Sequence, residues 1–236
     1  MLEKDIVEEP ERVDETEMSV SQIGINADPA RLLTHHVGRD EFYTTFMKTG
    51  NFVTAFGAKA GYADRLKAYR EETGITLPVR YVIVPDHHEE QTAGAAEAVA
   101  AGAILLTSKD GATVLSEMIE GDGKIETVET ERNISGLRIF PMSTDHARSV
   151  LAAYFEPQKA ALQSSHYASH YADAPFYAKY VGVSLYNAYP QDVKDDALIL
   201  ISAESKKPET WQDFKNAVAN HKPIRCHRNR DICEYS

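Results

Sequence analysis

A run of charged and metal-capable side chains directly follows a short apolar segment in the first half of the chain. Val79–Val84 has the pattern of a buried strand, and the five residues after Pro85 have the sequence Asp-His-His-Glu-Glu. Imidazole and carboxylate groups are the side chains that bind divalent metals in proteins. Because polar groups at the end of a buried strand lie at the rim of a sheet, where binding sites form, this segment is the first candidate for a functional site.

Two β-α-β units are expected to position these side chains. The first has strands at 79–84 and 103–107 with an Ala-rich helix at 93–101 between them. The second has strands at 160–163 and 197–202 with a helix at 178–189, and a last helix follows at 210–220. Such a unit predicts a parallel strand pair and a right-handed crossover.

The remaining segments supply further strands and helices. A hairpin is expected from strands at 42–47 and 52–56, and an amphipathic helix at 62–73 should end at Gly74. A helix at 113–119, ended by 121–123, precedes strands at 124–129, 137–140 and 151–155. Two sheets packed face to face with outer helices fit this order, but periodicity alone does not separate that fold from other α/β arrangements.

The segment after Val84 resembles the signature T-H-x-H-x-D-H-x-G-G of the metallo-β-lactamase superfamily. His88 stands at a histidine of that signature, whereas Asp86 stands at the first histidine, Glu90 at the aspartate and Gln91 at the last histidine. Further segments follow in the family's order: 140–146 with His146, 153–165 with Ser165 and 198–205 with Glu204. The resemblance covers about residues 40–220 and implies an α/β fold, the αββα sandwich of two mixed β-sheets with outer helices.

The resemblance also implies a set of metal-ligand positions. The first metal would use Asp86, His88 and His146, and two imidazoles with one carboxylate still form a three-ligand face. The second metal would use Glu90, Gln91 and Glu204, with Ser165 at the position of the bridging aspartate. An amide is a poor zinc ligand and a neutral serine removes the bridging charge, so we expect at most one ion, zinc or another divalent metal.

Three functions stay open at this stage. The first is a mononuclear metal-dependent hydrolase in which Glu90 is the general base. The second is a catalytically silent binding or scaffold module, a pseudoenzyme on the same fold. The third is an enzyme with metal-free or oxygen-dependent chemistry in the same cleft. The substrate cannot be predicted, because the fold does not determine it.

Charge and composition argue against nucleic acids and membranes as partners. The 236 residues have 25 Lys and Arg against 36 Asp and Glu, a formal charge of -11, so nucleic-acid binding is not expected. Without a signal segment or a long apolar run, we expect a cytoplasmic protein that does not enter a membrane. The expected partner is a small molecule in the cleft, and the question of whether the protein forms a homo-oligomer remains open.

The predicted domain organisation is an acidic flexible arm at 1–22, one metallo-β-lactamase-like domain at 23–222 and a C-terminal tail at 223–236. Cys226 and Cys233 lie in that tail, as free thiols, a local disulfide or a small metal clip. His35 and His36 are expected to be exposed loop residues. His87 is expected to point away from His88, because neighbouring side chains of an extended segment alternate.

Overall fold

Two mixed β-sheets pack against each other in the computed structural model of this chain, with helices on both outer faces. The structure describes residues 18–23, 34–39, 42–120, 124–144, 147–164, 168–169, 177–178, 180–205, 207–221, 224–226 and 233–235. Its strands are β1 (Ser19–Ile23), β2 (Thr34–Arg39), β3 (Phe42–Thr49), β4 (Phe52–Phe56), β5 (Val79–Val84), β6 (Ile104–Thr107), β7 (Ile125–Thr127), β8 (Arg132–Ile134), β9 (Leu137–Met142), β10 (Val150–Phe155), β11 (Ala160–Gln163), β12 (Ala168–Ser169), β13 (Tyr177–Ala178), β14 (Ile199–Ser202), β15 (Glu209–Thr210), β16 (Ile224–Cys226) and β17 (Cys233–Tyr235). Its α-helices are α1 (Tyr62–Thr73), α2 (Glu89–Thr92), α3 (Ala95–Ala100), α4 (Lys109–Met118), α5 (Tyr180–Ala188), α6 (Gln191–Asp196) and α7 (Trp211–Ala219).

The first sheet contains β1 to β7 in chain order, and the second has the order β15-β14-β11-β10-β9-β8. Strands β4 to β7 run parallel to one another, as do β11 and β14, whereas the first four strands are antiparallel hairpin neighbours. Both predicted β-α-β units are therefore confirmed, and each provides parallel strands whose carboxyl ends can build a site.

Three apolar clusters hold the layers together. Residues such as Phe56, Ile83, Leu151 and Leu162 fill the space between the sheets. A second cluster joins the outer face of the first sheet to α1, α3 and α4, and a third joins the outer face of the second sheet to α5 and α7. This layering is the predicted αββα sandwich, since each sheet buries one face against the other sheet and one against helices.

Several elements begin and end where the sequence predicted. The bounds of α1, β5, β4 and β11 are confirmed, and Gly74 ends α1 in the left-handed conformation with φ 67. The last helix is confirmed with Thr210 as its cap, because the Thr210 hydroxyl accepts a hydrogen bond from the backbone N–H of Asp213. In contrast, the helix expected at 93–101 begins earlier, at Glu89, and is divided into α2 and α3 around Gly94.

Other predictions were wrong. His35 and His36 are buried inside β2, because this strand lies between β1 and β3 in the first sheet. The end of the predicted arm forms β1, which pairs with β2 from Ser19 to Ile23, so the arm cannot extend to residue 22; residues 1–17 lie outside the described residues. In the predicted tail, β16 and β17 form a hairpin whose backbone register places Cys226 opposite Cys233.

No helix in the described part of the chain is long and apolar enough to cross a lipid bilayer.

Candidate active-site cleft

The carboxyl ends of parallel strands from both sheets meet at one edge of the sandwich. Lys59 follows β4, Asp86 follows β5 and Glu204 follows β14. Backbone hydrogen bonds join the sheets at this edge, from Leu151 N to Pro85 O at 2.7 Å and from Tyr43 N to Ala203 O at 2.8 Å. The fold therefore brings residues that are far apart in sequence to the mouth of a single cleft.

Asp86 organises the turn after β5. Its Oδ1 accepts hydrogen bonds from the backbone N–H and from the ring Nδ1 of His88, both at 3.0 Å. Asp86 is only 1% exposed, and its other oxygen, Oδ2, has no hydrogen-bond partner among the described residues. The prediction for His87 was wrong, because the turn is not extended and the two imidazoles stack with centroids 4.6 Å apart.

Gln91 connects the first sheet's helix α2 to the second sheet. Its amide Nε2 donates to the backbone oxygen of Ser164 at 3.2 Å and to Glu204 Oε1 at 3.4 Å. Gln91 is completely buried, and its Oε1 has no hydrogen-bond partner in the part of the chain that the structure describes. Two predicted ligand positions for the second metal, Gln91 and Glu204, are thus bonded to each other.

Lys59 lines the cavity of this cleft but is absent from the site residues that the sequence predicted. Its side chain is completely buried, and Nζ lies 5.2 Å from the centre of the Phe42 ring. Burial lowers the pKa of the Lys59 ammonium to about 8, while the negative charges of Glu204, Asp86 and Glu90 act in the opposite direction. A signal existed in the sequence, because Lys59 follows the end of a predicted strand just as Asp86 does.

A close backbone contact fixes the position of Lys59. Gly94 N donates to Ala58 O at 2.8 Å, and a Cβ built on Gly94 would lie 2.1 Å from the Lys59 carbonyl oxygen. Only glycine allows this approach, which explains why the helix predicted at 93–101 is interrupted here. The contact holds the segment of Lys59 beside α2, the helix of Glu90 and Gln91.

Buried polar residues from β2 and α1 make hydrogen bonds to the segments that form the cleft. The His36 ring bonds to Thr45 Oγ1 at 2.9 Å through Nδ1 and to Ser205 O at 2.7 Å through Nε2. Arg65 donates to three backbone oxygens, those of Ala60, Val37 and Phe42. These bonds tie β2, the segment of Lys59 and the segment of Glu204 to one another.

A cavity of about 400 Å³ opens beside Lys59. Cationic side chains from β2, from α1 and from the segment between β4 and α1 lie in its wall, together with two carboxylates of α2 and one aromatic ring. These residues are Arg39, Phe42, Lys59, Arg65, Glu89 and Glu90. This volume lies in the range of small-molecule sites in proteins.

The structure describes five of the seven site residues that the sequence predicted. Asp86, His88, Glu90, Gln91 and Glu204 are described, with Asp86 bonded to His88 and Gln91 bonded to Glu204. His146 and Ser165 lie outside the described residues, so their placement stays a prediction. Across the described ranges, no three His, Cys, Asp or Glu side chains form a group that could hold a metal ion.

The donor set of the described residues does not fit the two-metal centre that the resemblance implies. The Gln91 amide nitrogen, which is a donor, faces Glu204. The charges of Glu204, Asp86 and Glu90, which the two-metal pattern would divide between its two metals, act on the buried Lys59 ammonium. A cation and an N–H donor compete with a divalent metal for the same oxygens. The disagreement therefore comes from groups that are present in the cleft.

Solved structures identify the class of fold. A metallo-β-lactamase from Pontibacter korlensis matches 86% of this chain and 98% of its own, with a TM-score of 0.59 and 12% identity. The inverting sec-alkylsulfatase Pisa1 from Pseudomonas sp. matches 82% of this chain and 40% of its own, with a TM-score of 0.60 and 13% identity. A B3 metallo-β-lactamase described as having an active-site glutamic acid matches 80% of this chain and 87% of its own, with a TM-score of 0.53 and 14% identity.

This chain has the metallo-β-lactamase fold, as the resemblance predicted. No protein-family model and no curated protein sequence matches it.

Proposed function

We propose that this protein is a binding module on the metallo-β-lactamase fold and does not catalyse two-metal hydrolysis. One observation carries the proposal: the Gln91 amide N–H groups are directed at Ser164 O and Glu204 Oε1. In the two-metal pattern, the side chains at positions 91 and 204 would both present lone pairs to a metal. Here a donor and an acceptor satisfy each other, which makes a stable polar contact in a buried cleft.

The cavity beside Lys59 is the site we assign to the ligand. Its wall combines cations, carboxylates and the Phe42 ring, so a small polar molecule with both an acidic and a basic group matches it best. A thermal-shift screen with small amino acids and carboxylic acids tests this assignment. A ligand that raises the melting temperature of the wild type should lose most of its effect in Glu90→Gln, and it should keep it in Glu117→Gln, on α4.

Catalysis is tested with lactam and lactone substrates in the presence of excess zinc. We expect no turnover above the uncatalysed rate. Turnover on the order of 10 per second, a typical enzyme rate, would refute the proposal and assign the protein to the hydrolases.

A mononuclear metal-dependent hydrolase is the second candidate. Asp86 favours this candidate. Its buried Oδ2 has no hydrogen-bond partner among the described residues, and its other oxygen, Oδ1, is hydrogen-bonded to the His88 ring. The neighbour with an active-site glutamic acid also supports a carboxylate among the functional residues of this fold. In this candidate Asp86, His88 and His146 would hold zinc or another divalent ion.

Paired alanine variants test the second candidate. If the protein binds one metal ion, His88→Ala should reduce the bound metal at least tenfold, because an imidazole ligand is lost. His87→Ala, next to it in sequence, should retain the metal. Equal metal loss in both variants, measured by elemental analysis, would exclude a site on His88.

A further inference from the structure

The two cysteines of the chain occupy matching positions in the C-terminal hairpin. Cys226 is the last residue of β16, Cys233 is the first residue of β17, and the two strands are antiparallel. Their backbone register pairs Cys226 directly with Cys233. The sequence contains only these two cysteines, so each is the other's only thiol partner within one chain.

This register meets the distance requirement of a disulfide bond. Directly opposed residues of an antiparallel pair have Cα atoms about 5.5 Å apart at a hydrogen-bonded position and about 4.5 Å apart at a non-hydrogen-bonded one. A disulfide needs Cα atoms roughly 4.4 to 6.8 Å apart. Both kinds of opposed position fall in that range, so a bond between the two cysteines requires no change in the pairing of the strands.

The neighbouring register pairs favour the same hairpin. Residues alternate between the two faces of a strand, so the pair of Ile224 and Tyr235 shares a face with the cysteine pair, whereas Arg225 and Glu234 are paired on the other face. A β-branched residue opposite an aromatic one, and opposite charges at opposed positions, both stabilise an antiparallel pair. Because β16 and β17 form a two-stranded sheet, which is only marginally stable by itself, a covalent bond between the strands would stabilise it further.

We infer that Cys226 and Cys233 form a disulfide across this hairpin, a covalent modification that is independent of the cleft. The reaction is exchange with a small-molecule disulfide such as oxidised glutathione. One cysteine thiolate attacks this disulfide and releases the first glutathione thiol, and the other cysteine thiolate then attacks the mixed disulfide and releases the second. The two cysteines together lose two protons and two electrons, which the oxidant gains as it becomes two thiols.

The bond closes a loop around the six residues 227–232. Because few residues separate the cysteines and the strand register aligns them, their effective concentration is high, and the intramolecular bond is favoured over two mixed disulfides with glutathione. Excess reduced glutathione reverses the exchange. The C-terminal hairpin is therefore a redox-sensitive element of this chain.

Intact-mass analysis of the full chain tests the inference. The protein is equilibrated with oxidised glutathione, treated with iodoacetamide and EDTA without a reductant, and analysed by mass spectrometry. The wild type should take up no alkyl group and should be lighter than the reduced chain by two hydrogen atoms, whereas the reduced chain should take up two alkyl groups. Trypsin cleaves after Arg228 and Arg230, and the peptides of Cys226 and Cys233 should stay joined after this cleavage.

A variant with a shifted cysteine separates strand register from mere closeness in sequence. Cys233→Ser combined with Glu234→Cys moves one cysteine by a single residue, to the other face of the hairpin. Seven residues then separate the cysteines instead of six, so an unpaired chain would close either loop equally well. In a series of glutathione ratios, the equilibrium constant for the intramolecular bond should be at least tenfold lower in this variant than in the wild type.

Arg225→Cys combined with Cys226→Ser makes the same one-residue shift on β16 and should give the same loss. Equal equilibrium constants in the wild type and both shifted variants would overturn the inference, because the register would then have no influence. Two alkyl groups or two glutathiones on the wild type in excess oxidised glutathione would also overturn it. So would protection from alkylation that EDTA removes, because the cysteines would then hold a metal ion.

Discussion

His36 shows how one buried side chain couples the cleft to pH. Ser205 O can only accept, so the His36 proton lies on Nε2, and Nδ1 accepts from the Thr45 hydroxyl. This arrangement suits the neutral imidazole. Burial lowers the pKa of His36 from 6.5 to about 4, although the bond to the Ser205 backbone partly opposes this shift.

The free energy of unfolding should therefore depend on pH through His36. Above pH 6.5, His36 is neutral in both the folded and the unfolded chain. Between pH 6.5 and about 4, the His36 ring is protonated in the unfolded chain but stays neutral in the folded one. Stability is thus lost as the pH falls through this window, by on the order of 3 kcal/mol from this residue. Burial lowers the pKa of His35 as well, which adds a contribution of the same sign.

Urea unfolding at a series of pH values measures this effect. His36→Gln should be less stable than the wild type at neutral pH but should lose less stability on acidification, because the titrating ring is gone. Gln212→Ala, at an exposed position of α7, removes no titrating group and is the control that should keep the wild-type slope. Identical slopes in His36→Gln and the wild type would show that His36 does not titrate in this range.

The site residues differ in how far the sequence could predict them. Asp86, His88, Glu90 and Gln91 follow a recognisable strand and form a contiguous motif, so their position at the sheet edge was predictable. Lys59 does not stand out in the sequence, because a single lysine between alanines is typical of an exposed position. The negative charges that act on it lie 27 to 145 residues further along the chain, between Asp86 and Glu204, so the local signal was limited to its position after a predicted strand.

At the scale of elements, Gly94 determines how α2 and α3 meet the segment of Lys59. Its added Cβ would lie 2.1 Å from Lys59 O and 2.9 Å from Tyr62 Cβ, and the first of these contacts is with backbone, which cannot rotate away. Gly94 has φ -96, so the constraint is space and not backbone conformation.

Gly94→Ala should lower the free energy of unfolding by about 3 kcal/mol, because the new methyl group forces the helix junction away from Lys59. Gly74→Ala is the matched control: Gly74 has φ +67 and open space around its Cβ position, so its cost should stay near 1 kcal/mol. Chemical denaturation measures both. A smaller loss for Gly94→Ala than for Gly74→Ala would contradict the close contact.

Elements with strong local signals were predicted, and those set by tertiary contacts were not. The bounds of α1 followed from amphipathic spacing and a terminal glycine, which act within a few residues. Strand β2 was missed because Thr34, His35 and His36 are polar and give no alternating pattern. Their burial comes from β1, β3 and a hydrogen bond to Ser205 O, 169 residues away.

For the whole molecule, the resemblance gave the sandwich that periodicity alone could not. The parallel strand pairs of the two predicted β-α-β units agree with it, and the fold is that of the solved metallo-β-lactamases. The chemistry did not follow from the fold, because side chains at the cleft decide it. The functional conclusion therefore depends on the donors and charges that occupy the ligand positions.

Restoring the family's ligands tests whether the scaffold is still competent. A variant with Asp86→His, Glu90→Asp, Gln91→His, Ser165→Asp and Glu204→His should raise the zinc content toward two ions per chain, since the poor ligands are replaced. Adding Lys59→Met should increase the zinc affinity further, because a competing cation is removed. No zinc gain in either folded variant would show that the ligand positions carried over from the resemblance do not converge.

The central claim is that the Gln91 amide donor at a predicted ligand position is incompatible with a two-metal centre, and the zinc content of the wild type tests it most directly. The protein, purified without added zinc and then dialysed against a small excess, is analysed by inductively coupled plasma mass spectrometry. We expect at most one zinc ion per chain, held independently of Gln91 and Glu204. Two zinc ions per chain, one of them lost in Glu204→Gln, would contradict it.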